Sequence, residues 1–158
     1  MNGWLLVHDL FWSTVAALGF AVMFNVPRRL LPGCALAGGL GHALRALVMG
    51  LGLPLEVATL AAATAVGFLS EWLAKRYQSP RIVFGVAGVI PMVPGVLAYQ
   101  TMLGVFELAG LINLTNSPAA EELVSTAVLG IKTGLVLITL ALGIIAPNLL
   151  FRRQQPVV

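Results

Sequence analysis

The chain has 158 residues, 59% hydrophobic and only 9% charged, with a mean hydropathy of +0.96. A water-soluble domain carries about 25% charged residues, so a soluble fold is excluded and several membrane crossings are expected. The net charge of +3 and the pI of about 9.6 would raise nucleic-acid binding in a soluble protein, but seven of the nine basic residues sit in short patches between apolar runs, where membrane topology requires them; no nucleic-acid partner is expected.

Five apolar runs are near or above the ~20 residues that a spanning helix needs. The first covers about Gly3 to Phe24. No basic residue precedes it, and it is longer than the ~7 to 15 residues of a signal-peptide core, so it is expected to remain as a span. Asp9 lies near its outer end, within reach of water, and although proton coupling would also use a carboxylate there, its position needs no functional explanation.

The second run, Pro32 to Leu51, follows a connection holding Arg28 and Arg29. Cys34, the single cysteine, can form no internal disulfide and is expected to pack as a small apolar residue. Downstream lies Gly38-Gly39-Leu40-Gly41-His42-Ala43-Leu44-Arg45. At ~100° per residue, Gly38, Gly41, His42 and Arg45 share an arc of about 100°, which suggests one wall of a polar cavity. Gly38, Gly39 and Gly41 are equally explained by helix packing, since Ala35, Gly39 and Ala43 form a ridge of small residues. Arg45 resists that explanation. It lies ~9 Å from the outer end of its span, and an intramembrane guanidinium costs several kcal/mol unless it faces a partner or water. His42 is read either as part of the same site or as a hydrogen bond across a helix interface.

The third run, Leu55 to Ala74, ends in Glu71, Trp72, Lys75 and Tyr77. Glu71 and Lys75 are spaced for an i,i+4 pair, with an interfacial aromatic belt beside them.

The fourth run, Ile82 to Leu111, is interrupted by Pro91-Met92-Val93-Pro94-Gly95. Proline lacks a backbone donor and glycine weakens helices, so a break is expected rather than a bend. Counted from Arg81, it lies ~15 Å into the bilayer, a depth at which free backbone must be buried in protein or line a polar cavity. The half-helix starting near Gly95 would offer free amides and a positive dipole end to an anion, with Tyr99, Gln100 and Thr101 in its first two turns.

The fifth run, Leu123 to Phe151, follows Ser117-Pro118 and the acids Glu121 and Glu122, a helix-start signal. Its interior charge, Lys132, lies ~16 Å from Glu121, too deep to reach either surface easily. Ser125, Thr139 and Gly143 fall close to the same face. Lys132 fits either an ion pair with a glutamate of another helix or subunit, or substrate binding.

Arg28, Arg29, Lys75, Arg76, Arg81, Arg152 and Arg153 alternate with connections free of Lys and Arg. The expected architecture is therefore an all-α integral membrane protein with five transmembrane helices in one domain, N-terminus outside, C-terminus inside and the fourth helix broken at Pro91 to Gly95. Nucleophile, metal and phosphate-loop motifs are all missing from the sequence, so neither enzyme chemistry nor a metal or other cofactor is expected.

Phe24-Asn25-Val26-Pro27-Arg28-Arg29, Gly41-His42-x-x-Arg45 and Ile90-Pro91-Met92-Val93-Pro94-Gly95-x-x-x-Tyr99 together resemble the threonine/serine exporter (ThrE) family. The likeness covers nearly the whole chain and is greatest to the small subunits of two-component succinate exporters. It implies a secondary transporter of the bacterial inner membrane in which this chain is one half and a larger membrane subunit supplies the opposing wall. Because interior positive groups outnumber interior acids, Arg45 and the half-helix from Pro91, Pro94 and Gly95 through Tyr99 and Thr101 are expected to hold the carboxylates of a small dicarboxylate, with His42 coupling export to protons; Lys132 is added on its depth and helical face alone, since it belongs to no motif of the family. Threonine or serine is the alternative substrate, and a non-transporting assembly subunit or a channel the rival classes.

Overall fold

Long runs of Ala, Leu, Val and Gly without polar punctuation leave the backbone to satisfy itself, and in a bilayer a chain of this kind does so as helices. The computed structural model describes residues 3–112 and 118–151, and every regular element in them is helical. In chain order these are α1 (Gly3–Met23), a 3-10 turn (Arg28–Leu30), α2 (Leu31–Gly50), α3 (Leu55–Tyr77), α4 (Arg81–Val89), a second 3-10 turn (Ile90–Met92), α5 (Gly95–Leu108) and α6 (Ala119–Phe151). Ser117, Arg152 and Arg153, which entered the reading of the connections and of orientation, lie outside the described residues.

The helix ends follow from local chemistry. Pro54, Pro80 and Pro94 each stand just before a first helical residue, where a missing N–H has no intrahelical partner to lose. α1, α3 and α5 close with the same device, a left-handed residue after the last turn: Asn25 (φ 56°), Gln78 (φ 49°) and Gly110 (φ 71°). After α5, Leu111 N–H reaches back to Phe106 C=O and Gly110 N–H to Glu107 C=O, both at 2.9 Å, and Val26 and Asn25 repeat this pairing after α1. α3 thereby runs on to Tyr77, past the expected end at Ala74, with Lys75 and Arg76 favourably placed at its negative end.

The described residues divide into two units. In the first, α2 packs against α1, α3 and α4. Small residues line these seams. A methyl group at Gly38 would collide with Ala17 of α1 and one at Gly39 with Thr14; at Gly41 it would come within 2.5 Å of Val66 on α3, and at Gly88 within 2.9 Å of Ala37. Ala17, Ala37, Ala58, Ala62 and Ala87 are fully buried, whereas Leu36, Leu40, Phe68 and Leu142 are exposed. Lipid solvates large side chains as well as a protein interior does, so van der Waals contact between small faces holds the helices together. The C-terminal part of α6 belongs to this unit, with Gly143 against Ala63 and Thr64, and Pro147 3.0 Å from the place of a Gly67 methyl. The second unit, Pro94–Ile138, holds α5 and the N-terminal part of α6, where Gly104 fits under Thr126 and Gly130 meets the Thr101 methyl.

Among the described residues four helices are long and apolar enough to cross a membrane, and the α4/α5 pair, taken as one broken span, raises the number to five.

Candidate functional site

The break in the fourth run is narrower than Pro91 to Gly95. Pro91 sits inside the 3-10 turn, in its first turn, where its lack of a donor is tolerated. Pro94 is the residue that stops the helix, because its ring excludes the helical conformation from the preceding residue. Val93 is accordingly extended (φ −60°, ψ 130°), and helix resumes at Gly95. The Val93 N–H still bonds Ile90 C=O at 3.1 Å, but Met92 C=O is left without a helical donor.

Arg45 supplies that donor. Its Nη1 donates to Met92 C=O at 2.8 Å, joining α2 to the end of the α4 segment. Its Nη2 lies 3.1 Å from His42 Nε2, one turn earlier on the same helix. A guanidinium can only donate, so Nε2 must accept, which puts the proton of a neutral imidazole on Nδ1. That Nδ1 is buried and has no hydrogen-bond partner among the described residues.

Both side chains border a cavity of about 460 Å³, together with Asp9 of α1 and Ala46, Met49 and Gly50 of α2. This volume suits a small metabolite. Asp9 faces the cavity without forming an ion pair to Arg45 among the described residues. The site thus has one cation, one acid and a neutral imidazole behind the cation, enough to hold a carboxylate and to accept a proton or an ammonium group.

Asp9 was legible as an acid near the outer end of its span, but not as a neighbour of His42 and Arg45. A usable signal existed: Asp9 to Met23 and Leu31 to Arg45 are both 14 residues. Across an antiparallel pair this sets the two side chains at one height, about 21 Å from the turn. Gly38, Gly39 and Gly41 face α1 and α3, where an added methyl would meet Ala17, Thr14 and Val66, and so leave no open space beside Arg45.

Pro94, Gly95, Tyr99, Thr101 and Lys132 belong to the second unit. Thr101 spends its hydroxyl on Leu97 C=O at 2.8 Å, Tyr99 is exposed, and no atom outside its own helix crowds Gly95. Lys132 is exposed on α6 and forms no ion pair among the described residues.

A helical chain with four or five membrane-length helices, a proline-broken segment and a charged cavity beside the break has the build of a multi-span membrane protein. The chain belongs to the threonine/serine exporter family, matching Threonine/Serine exporter, ThrE over residues 9–150. It is 37% identical over 154 residues to an uncharacterized protein of Haemophilus influenzae, a match that covers 97% of this chain and 50% of that one. The chain therefore spans about half the length of this relative. No solved structure matches it.

Proposed function

We propose that this chain is the small half of a two-component exporter of small organic acids, with succinate as the expected substrate, working beside a larger membrane subunit in a bacterial inner membrane with its N-terminus outside. The observation that carries this reading is the Arg45 guanidinium held on Met92 C=O beside a 460 Å³ cavity. Two of its five donors are engaged, and the rest are free to take a carboxylate. A carboxylate that draws Arg45 from Met92 C=O would release the backbone at the break, so that binding and helix movement become one event. His42 then serves as the proton-coupling group. In the second unit, the first turn of α5 at Gly95, with Tyr99, Thr101 and Lys132, is a separate candidate for taking a carboxylate together with the larger subunit. Membership of an exporter family and the half-length match support this division of labour.

Export of threonine or serine is the second reading, favoured by Asp9 on the same cavity, since a zwitterion needs an acid for its ammonium as well as a cation for its carboxylate.

The test is transport in vesicles containing this chain with and without its partner, offering succinate and threonine in parallel. Succinate movement that requires both proteins and disappears in Arg45→Gln is the expected result. Transport by this chain alone, or full transport by the variant, overturns the proposal.

A further inference from the structure

A second cavity, of about 470 Å³, lies at the opposite end of the first unit, where α3 ends and α4 begins, and α6 closes its other side with Pro147 and Asn148. The sequence pairs Glu71 with Lys75. The structure instead sets Glu71 Oε2 3.9 Å from Arg81 Nη1, because the short turn at 78–80 folds the start of α4 back beside α3. That contact is long and both side chains are partly exposed (35% and 42%), so it holds neither firmly. Lys75 and Arg81 against Glu71 leave the cavity with one net positive charge.

Its walls are graded. Phe68, Glu71, Trp72 and Lys75 form a single stripe of α3 at i, i+3, i+4 and i+7, running over ~10 Å from apolar to cationic. Trp72 is 60% exposed, so the apolar part of the stripe reaches the outer surface of the helices. The Lys75 ammonium, the Trp72 indole N–H and the Asn148 amide have no hydrogen-bond partner among the described residues. A soluble anion would gain nothing from Phe68, Trp72 and Pro147. An amphiphile with one negative charge matches the whole stripe.

We propose that this cavity binds the headgroup of an anionic phospholipid, its phosphodiester between Lys75 and Arg81, the adjoining oxygens on Trp72 and Asn148, and the start of an acyl chain along Phe68. Basic pockets between membrane helices at a cytoplasmic face take such headgroups by the same charge logic. The inference depends on the membrane placement of the chain and not on what it transports.

The full chain with Trp4→Phe and Trp12→Phe, leaving Trp72 as the reporter, is placed in bilayers doped with phosphatidylglycerol or phosphatidylcholine brominated near the headgroup end of the acyl chains. Trp72 should be quenched at a lower mole fraction of the anionic lipid. Lys75→Gln and Arg81→Gln should each reduce this preference by about five-fold, the worth of one cation near a membrane surface. Arg76→Gln, which removes an equal charge outside the cavity, should leave it intact. Equal quenching by both lipids, or an unchanged preference in the Lys75→Gln/Arg81→Gln double variant, overturns the proposal. So does displacement of the lipid by millimolar inorganic phosphate or succinate, which would make this a soluble-anion site.

Discussion

Arg45 Nη1 sits 2.8 Å from the carbonyl oxygen of Met92, so the charged residue of α2 is anchored to backbone that a proline has freed from its own helix. Each group answers the other's difficulty. A guanidinium inside a bilayer needs an acceptor, and a carbonyl at a helix break needs a donor.

Removing that donor should therefore have two effects. Arg45→Met, which has no N–H to offer Met92 C=O, is expected to lower stability by about 1–3 kcal/mol, the penalty for a buried carbonyl left unpaired. Export should fall by about ten-fold or more, with assembly retained. Thermal denaturation and vesicle efflux, measured on the same preparation, check both. Unchanged denaturation would show that Met92 C=O finds another donor.

Pro94→Ala attacks the acceptor side. With the ring gone, Val93 is free to become helical and α4 and α5 can join, giving Met92 C=O a backbone donor at Val96. Hydrogen exchange at Val96 and Leu97 should slow and transport should cease, while stability holds or rises. Fast exchange at both amides would mean that Pro91 alone maintains the break.

Asp9→Asn separates the two substrate readings. If the cavity holds a zwitterion, threonine export should drop well below succinate export; if it holds a dicarboxylate, succinate export should persist. Parallel efflux assays with the two substrates decide it.

Two glycines of the second unit should respond with opposite signs. A methyl at Gly104 runs into Thr126, so Gly104→Ala is expected to destabilise by about 1–3 kcal/mol. Gly134 has no neighbour within 4 Å, and Gly134→Ala should stabilise the chain by about 0.5–1 kcal/mol through helix propensity. Thermal unfolding of the chain alone tests the pair. Loss of partner assembly in Gly134→Ala, with the chain itself stabilised, would mark that open face as a subunit contact.

Much of the fold could be read from residue order. Membrane-length helices follow from the density of apolar residues, and the interruption of the fourth follows from two prolines and a glycine, since hydropathy and missing N–H groups are properties of single positions. Arg45 stood out for the same reason: its desolvation penalty depends on depth, which counting residues supplies. Asn25 in the Phe24-to-Arg29 motif also has a one-dimensional logic, as a left-handed cap that Asn tolerates better than most residues.

Pairings across helices had no such local signature. The sequence put Glu71 with Lys75, and the turn at 78–80 gave it Arg81; it left Asp9 to solvent, and the hairpin of α1 and α2 set it beside Arg45's cavity. Helical periodicity tells which residues share a face of one helix, but not which face of a neighbour it meets. Composition and spacing thus determined that this is a helical membrane protein with a break and an unexplained arginine. Only the tertiary structure decided that Met92 C=O is what the arginine holds, because that contact joins residues 47 positions apart and exists only once small residues on α2 let the helices approach.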